Sequence, residues 1–184
     1  VTSRGVIRIA ACAWLLLLSG MVGGAAAQGL GVARESAVKA AFLYKFGNFV
    51  EWPADAFPSA ASPIVIGVFG DEAVASELEL ITRGRAVQGR PVTVRRIRAV
   101  DEVGMVHILF AGGARAAPVR ELLAASRGPV LTVADESGAG AGAVLHFSQL
   151  EGRVRFSASL TAARARGLRL GARLLEVAQD VEGR

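Results

Sequence analysis

Residues 39–53 read KAAFLYKFGNFVEWP and hold the only tyrosine and both lysines. Val38, Phe42, Phe46, Phe49 and Val50 recur at spacings of four, four, three and one. Such spacing gathers apolar side chains on one face of an amphipathic helix and predicts a helix from about Glu35 to Glu51. Glu35 in its first turn suits the helix dipole. Pro53 stops the helix and drives Trp52 towards an extended backbone. Gly47 is either a weak point or a place where another backbone comes close. A wide aromatic face suits a helix lying across a sheet, so core packing is the first reading of these side chains. The functional reading makes Trp52 and its exposed neighbours part of a contact surface.

Downstream, the chain alternates short apolar runs with helical patterns. After a Pro-, Ala- and Ser-rich linker at residues 53–63, IVIGVF at residues 64–69 reads as a buried strand. Gly70-Asp71 then opens a helix over residues 72–82. Gly84 to Pro91 is a basic turn, and residues 92–97 alternate as a half-buried strand. A connector with a short helical turn covers residues 101–105. A second apolar strand spans residues 106–110, a helix residues 117–126, and a third apolar strand starts at Pro129. This order predicts a mostly parallel sheet covered on both faces. The last third changes character. Residues 143–147 and 154–160 alternate around Glu151-Gly152, which predicts an antiparallel hairpin. Thr161 is placed to cap a short helix ending at Gly167, and a last helix is expected over residues 171–181. The fold class is α/β: a single three-layer domain with a mixed, mostly parallel sheet of about six strands and a C-terminal antiparallel hairpin.

The amino terminus reads as a cleaved secretory signal. Arg4 and Arg8 precede an apolar run, and Ala25-Ala26-Ala27 before Gln28 fits a small-x-small cleavage site. The run is short for a membrane span; a retained anchor is the alternative. The domains are then 1–27, the signal peptide, and 28–184, the α/β domain. Cys12 leaves with the signal, so the exported chain has no disulfide and no cysteine metal site. Loss of Arg4 and Arg8 takes Lys plus Arg from 21 to 19 against 16 acids, a net charge of about +3. That mild charge on an exported chain argues against nucleic acid as a partner and leaves an anionic surface or an acidic protein patch open.

Catalytic and cofactor motifs are missing from the inventory. The turn after residues 64–69 lacks GxGxxG spacing, and Asp71-Glu72 would repel a phosphate. Gly138 to Gly142 precedes a strand and is not followed by Gly-Lys-Ser/Thr, so it reads as a loop. There is no GxSxG. His107 and His146 lie in apparent strands without metal-ligand spacing. A pair of these histidines with Asp135 would require their strands to be neighbours. No catalytic residue, metal ligand or cofactor is assigned. The basic turn Arg83-Gly84-Arg85 with Gln88 and Arg90 is solvated charge by default, and also a surface able to meet carboxylates. Arg164, Arg166, Arg169 and Arg173 could do the same or keep the final helices soluble. The candidate partner-binding residues are Lys45, Glu51, Trp52, Arg85 and Arg90, chosen for chemistry and expected exposure.

KAAFLYKFGNFVEWP resembles the opening motif of the YfiR family of periplasmic proteins. IGVFGD at residues 66–71, GRPVTVRRI at 89–97, HILF at 107–110, VLTVAD at 130–135 and GLRLGARLLEVA at 167–178 agree in order. The resemblance covers nearly all of the exported chain. It implies a repressor that binds the periplasmic sensor region of an inner-membrane diguanylate cyclase, controlling cyclic di-GMP and biofilm formation. It also implies an OmpA-like outer-membrane lipoprotein that sequesters the repressor, and a homodimer. The chain departs from the family pattern in two places. Val106 stands where relatives often carry cysteine, and Ser159 where many carry asparagine. The alternative function is a periplasmic solute-binding or sensor module, which would need a sizeable apolar pocket near Gly70, Gly112 and Asp135. A hydrolase with an unfamiliar motif would have to use His107, His146 or Asp135 in a cleft.

Overall fold

The computed structural model describes residues 23–113, 115–138 and 140–183. Residues 1–22 of the expected signal segment, with Cys12, lie outside them. The sheet and its helices belong to one compact unit, Glu35–Arg184, and residues up to Arg34 group separately.

The helices are α1 (Gly23–Phe46), α2 (Glu72–Thr82), α3 (Ala116–Ala125), α4 (Leu160–Ala165) and α5 (Ala172–Glu176). The strands are β1 (Val50–Glu51), β2 (Ile64–Phe69), β3 (Ala86–Val87), β4 (Arg90–Ile97), β5 (Ile108–Ala111), β6 (Leu131–Ala134), β7 (Leu145–Leu150), β8 (Arg153–Ser159), β9 (Arg169–Leu170) and β10 (Asp180–Glu182). Eight strands form the main sheet in the order β10-β8-β7-β6-β5-β2-β4-β3, and β1 pairs with β9 in a separate ribbon. From β7 to β4 all neighbours are parallel. The β7–β8 and β3–β4 pairs are antiparallel, and β10 runs parallel to β8.

Two-sided burial explains the continuous apolar runs. In β2, Ile64, Ile66 and Val68 face one core, while Val65 and Phe69 pack against the other. Ile108 and Phe110 of β5 join the first core, and Leu109 and Ala111 the second. The first core is covered by α1 and α2, through Leu43, Phe46, Val74 and Leu78, and the second by α3, through Val119, Leu122 and Leu123. Phe46 is the centre of an aromatic cluster. Its ring lies 4.9 Å from Phe156, edge to face, and 5.8 Å from Phe147, with Phe42 at 5.7 Å.

Several expectations are corrected. The main sheet has eight strands, because β3 is a two-residue strand inside the basic turn and β10 occupies the expected end of the last helix. That last helix stops at Glu176; Gln179 N–H then donates to Phe156 O at 2.8 Å and leads the chain into the sheet edge. The opening helix ends at Phe46, ahead of Pro53. Asn48 and Phe49 turn back on the carbonyls of Lys45 and Phe46, and Val50–Glu51 becomes a strand against Arg169–Leu170. The buried face of α1 is Ser36, Lys39, Ala40, Leu43 and Phe46, and Val38 is exposed. Gly47 is a site of close approach: a Cβ there would lie 2.8 Å from Val87 Cγ1. Ser159, not Thr161, caps α4, its Oγ accepting from Ala162 N–H at 3.1 Å. Asparagine performs the same capping, so the Ser159 departure keeps a helix-capping hydrogen bond.

Phe46→Ala removes the ring at the junction of helix and sheet. Truncations of this kind cost about 3–5 kcal/mol in a packed core. The urea midpoint should fall accordingly, and a shift below about 1 kcal/mol would show that the cluster can close over the gap.

Candidate contact surface

The parallel strands β2, β4 and β5 begin at one end of the sheet, where the segment from Pro53 to Pro63 packs on them through Phe57. That segment is held by stacked π systems. Phe57 lies flat on His107, with centroids 4.4 Å apart and planes 8° from parallel. The Arg90 guanidinium sits 3.9 Å from the Phe57 centroid, a cation–π contact. Trp52 meets Phe57 edge to face at 6.0 Å. Arg90 Nη1 also donates to the carbonyls of Ser59, Ala60 and Ser62 at 2.8–3.0 Å. His107 Nδ1 accepts from Val65 N–H at 3.0 Å, and its Nε2 lies 3.2 Å from Ala56 O. The neutral ring therefore carries its proton on Nε2, donating to that carbonyl. Burial pushes the His107 pKa below 6.5; the Ala56 carbonyl opposes this and the Arg90 charge adds to it.

Of the predicted residues, Trp52 and Arg90 are thus brought together, with Phe57 between them. Trp52 is half-buried, and its Nε1 is buried with no partner among the described residues. Its packing role is therefore substantial. Arg85 is exposed, its guanidinium 6.0 Å from the Tyr44 centroid, and the Tyr44 hydroxyl donates to Ala86 O at 3.1 Å. Gln88 Nε2 donates to Gly47 O and Val50 O at 2.8 and 2.7 Å, tying the β3–β4 turn to the end of α1. Glu51 lies 3.6 Å from Arg169 across the β1–β9 ribbon, an exposed pair worth little in water. Lys45 is exposed in the last turn of α1, where a cation suits the helix dipole. Phe57 and His107 were missed as a pair; the signal for Phe57 was a single aromatic residue in an otherwise small and polar linker.

The opposite end of the sheet carries the strand ends where strand order reverses, between β2 and β5. Asp71 caps α2, its Oδ1 accepting from Val74 N–H at 3.0 Å. Gly113 N–H donates to Asp135 Oδ2 at 2.8 Å. A Cβ on Gly113, whose φ is +65°, would lie 2.6 Å from Gly70 O. The two loops are thus in close backbone contact at the reversal, where ligands bind in many α/β proteins. The buried Lys39 ammonium lies 2.6 Å from Glu35 and 3.9 Å from Asp135. Beside it is a cavity of about 130 Å³ lined by charged and polar groups with Phe147. The cavity at Asp135 is small and polar, and a second of about 390 Å³, lined by Phe69, Gly70, Asp71, Arg96 and Arg98 among others, lies at Gly70. His107 is at the start of β5 and Asp135 follows the end of β6, so the conceived His107–His146–Asp135 grouping is not assembled. Among the described residues, no three His, Cys, Asp or Glu side chains are grouped to hold a metal. Arg166 is committed to the end of α3, donating to Leu123 O and Ser126 O at 3.0 and 3.1 Å. Among the described residues, no helix is long and apolar enough to cross a membrane.

Fold and surface together define a three-layer α/β domain with Lys45, Glu51 and Arg85 exposed and with Trp52, Phe57 and Arg90 half-buried against one another. A profile of the YfiR/HmsC-like family matches residues 36–179. The chain belongs to the YfiR/HmsC-like family. No curated protein matches it.

The lowered His107 pKa fixes the sign of one pH effect. The unfolded ring takes up a proton near pH 6.5 while the folded ring still resists it, so this residue's contribution is present above that pH and is lost as pH falls towards the folded value. His107→Asn keeps an acceptor for Val65 N–H but does not titrate. It should be less stable than wild type at about pH 7.5, with the gap narrowing by about pH 5.5. Parallel thermal melts at the two pH values check this; a gap that widens on acidification would contradict the assignment.

Proposed function

We propose that this chain is a periplasmic regulatory protein that binds and represses an inner-membrane diguanylate cyclase by protein–protein contact. The observation that carries the reading is the family match over residues 36–179. The amino-terminal signal pattern supports export to the periplasm. The nucleotide product of the cyclase never meets this chain, and no catalytic step, cofactor or nucleic acid enters the role. An OmpA-like outer-membrane lipoprotein that sequesters the repressor, and a homodimer, belong to the same proposal.

The contact surface we assign is the end of the sheet bearing Lys45, Glu51, Trp52, Arg85 and Arg90. Lys45, Glu51 and Arg85 supply exposed charge. Trp52, Phe57 and Arg90 hold the segment between them in one conformation, which lowers the ordering cost of binding. Repression follows by population shift. The repressor must bind the inactive sensor more tightly than the active one, and a swing from 1:99 to 99:1 needs about 10⁴-fold preference, about 5.5 kcal/mol.

The test is co-purification of the tagged exported chain with detergent-solubilised inner membranes of the source organism, followed by cyclase assays with and without it. Enrichment of a cyclase with a periplasmic sensor, and loss of its activity on adding the chain, are expected. Recovery of no such cyclase overturns the reading. Lys45→Glu combined with Arg85→Glu should weaken the complex about tenfold while leaving the melting temperature near wild type.

A further inference from the structure

We infer that the outer edge of β4 is a docking edge for an extended, carboxylate-bearing segment of another protein. The inference rests on the reading of this chain as a binding protein, but not on the partner being a cyclase.

From Val92 to Ile97, β4 is paired on its inner side with β2, Ile64↔Val92 to Phe69↔Ile97. On its outer side β3 covers only Pro91 and Arg90. The turn joining β3 to β4 is Gln88-Gly89, with φ of +52° and +76°. A two-residue turn of this kind makes Val87↔Arg90 the hydrogen-bonded pair. Backbone direction alternates along a strand, so the N–H and C=O groups of Val92, Val94 and Arg96 point outward. None of them has a partner strand among the described residues. Their side chains lie on the α2 face: Val92 and Val94 pack against the first core, and Arg96 is held by Glu72 and Glu79.

A groove of about 660 Å³ runs beside this edge, lined among others by Thr82, Arg83, Arg85, Val92 and Val94. Its charge selects the occupant. The groove's one acid, Glu79, is matched by Arg96. Arg83 and Arg85 are exposed and form no ion pair among the described residues. The uncompensated charge is positive at the end where β4 begins. The β4 strand of a second copy, RPVTVRRI, carries arginines and no carboxylate, so it brings no counter-charge of its own to Arg83 and Arg85. A hetero-partner strand bearing Asp or Glu meets the same groups favourably. Main-chain bonds to Val92, Val94 and Arg96 would supply affinity, and arginine–carboxylate pairs would supply direction.

The experiment pans a displayed library of random extended peptides against the purified chain and maps the selected peptides by amide-resolved NMR. Selected peptides rich in Asp or Glu that shift and protect the amides of Val92, Val94 and Arg96 are expected. Arg83→Glu should weaken them about tenfold. Val94→Pro removes one outward N–H and should abolish protection at its neighbours. If that variant does not fold, the Arg83→Glu titration and the amide map decide. Absence of binders, binders without carboxylates, or binders that leave those amides unmoved would overturn the inference. A cyclase complex indifferent to Arg83→Glu and Val94→Pro would also remove the edge while leaving the cyclase reading intact. Peptide binding at the edge with no cyclase recovered would do the reverse.

Discussion

The seating of Phe46 on Phe147 and Phe156 is the contact that joins the carboxyl end of α1 to the β7–β8 hairpin. Phe46 closes α1, whereas Phe147 and Phe156 face each other across the β7–β8 hairpin. The ring therefore fixes where α1 lies over the sheet. Everything after it inherits that placement. Gln88 can reach the carbonyls of Gly47 and Val50 only because the helix stops there. Val50–Glu51 can pair with Leu170–Arg169 only because the chain leaves the helix in that direction. Glycine at position 47 is part of the same constraint, since Val87 packs where its Cβ would be.

The parallel core was legible because its signal is redundant. IVIGVF is apolar on both faces, is bounded by Pro63 and Gly70, and became β2 with the expected ends. The helix over Glu72–Thr82 was equally plain, because Asp71 stands at its start as a cap. What was not legible depended on partners far along the chain. Val50 and Glu51 continue a helical spacing in sequence, and only their pairing with β9 makes them a strand. Residues 177–181 continue the spacing of a last helix, but Gln179 finds Phe156 O and the sheet takes the chain. β3 is too short to carry any periodicity at all. Tertiary hydrogen bonds overrode local propensity in each case.

The candidate surface shows the same division. Exposure of Lys45, Glu51 and Arg85 followed from charge and position. The role of Arg90 did not, because its three carbonyl partners lie about thirty residues away in a linker without secondary structure of its own beyond one helical turn. Its charge spreads over the Phe57 ring and those carbonyls, so Arg90 acts here as a clasp. The segment it holds contains small and polar residues with little apolar surface to bury. Without Arg90, Phe57 and His107 the segment would have only its own weak turn, and the Trp52 face would lose its backing.

The strand-order reversal is treated differently from the open edge. At the reversal, Gly113 approaches Gly70 O so closely that a side chain would not fit, and Asp135 takes the Gly113 N–H that a bound anion would otherwise take. The nearby lysine is buried against two carboxylates, and a buried ammonium is tolerable only in such company. Polar groups at that end are thus largely turned inward on one another. Around β4 the reverse holds: among the described residues, the outward backbone groups of Val92, Val94 and Arg96 have no partner strand, and Arg83 and Arg85 form no ion pair beside the groove. Recognition chemistry needs groups that exchange water for a partner at small cost, and groups already satisfied internally must first give up what they hold. On that ground we propose the β4 side of the sheet and the adjoining end of α1 as the partner-binding face; the Arg85 guanidinium lies 6.0 Å from the Tyr44 ring where the two meet.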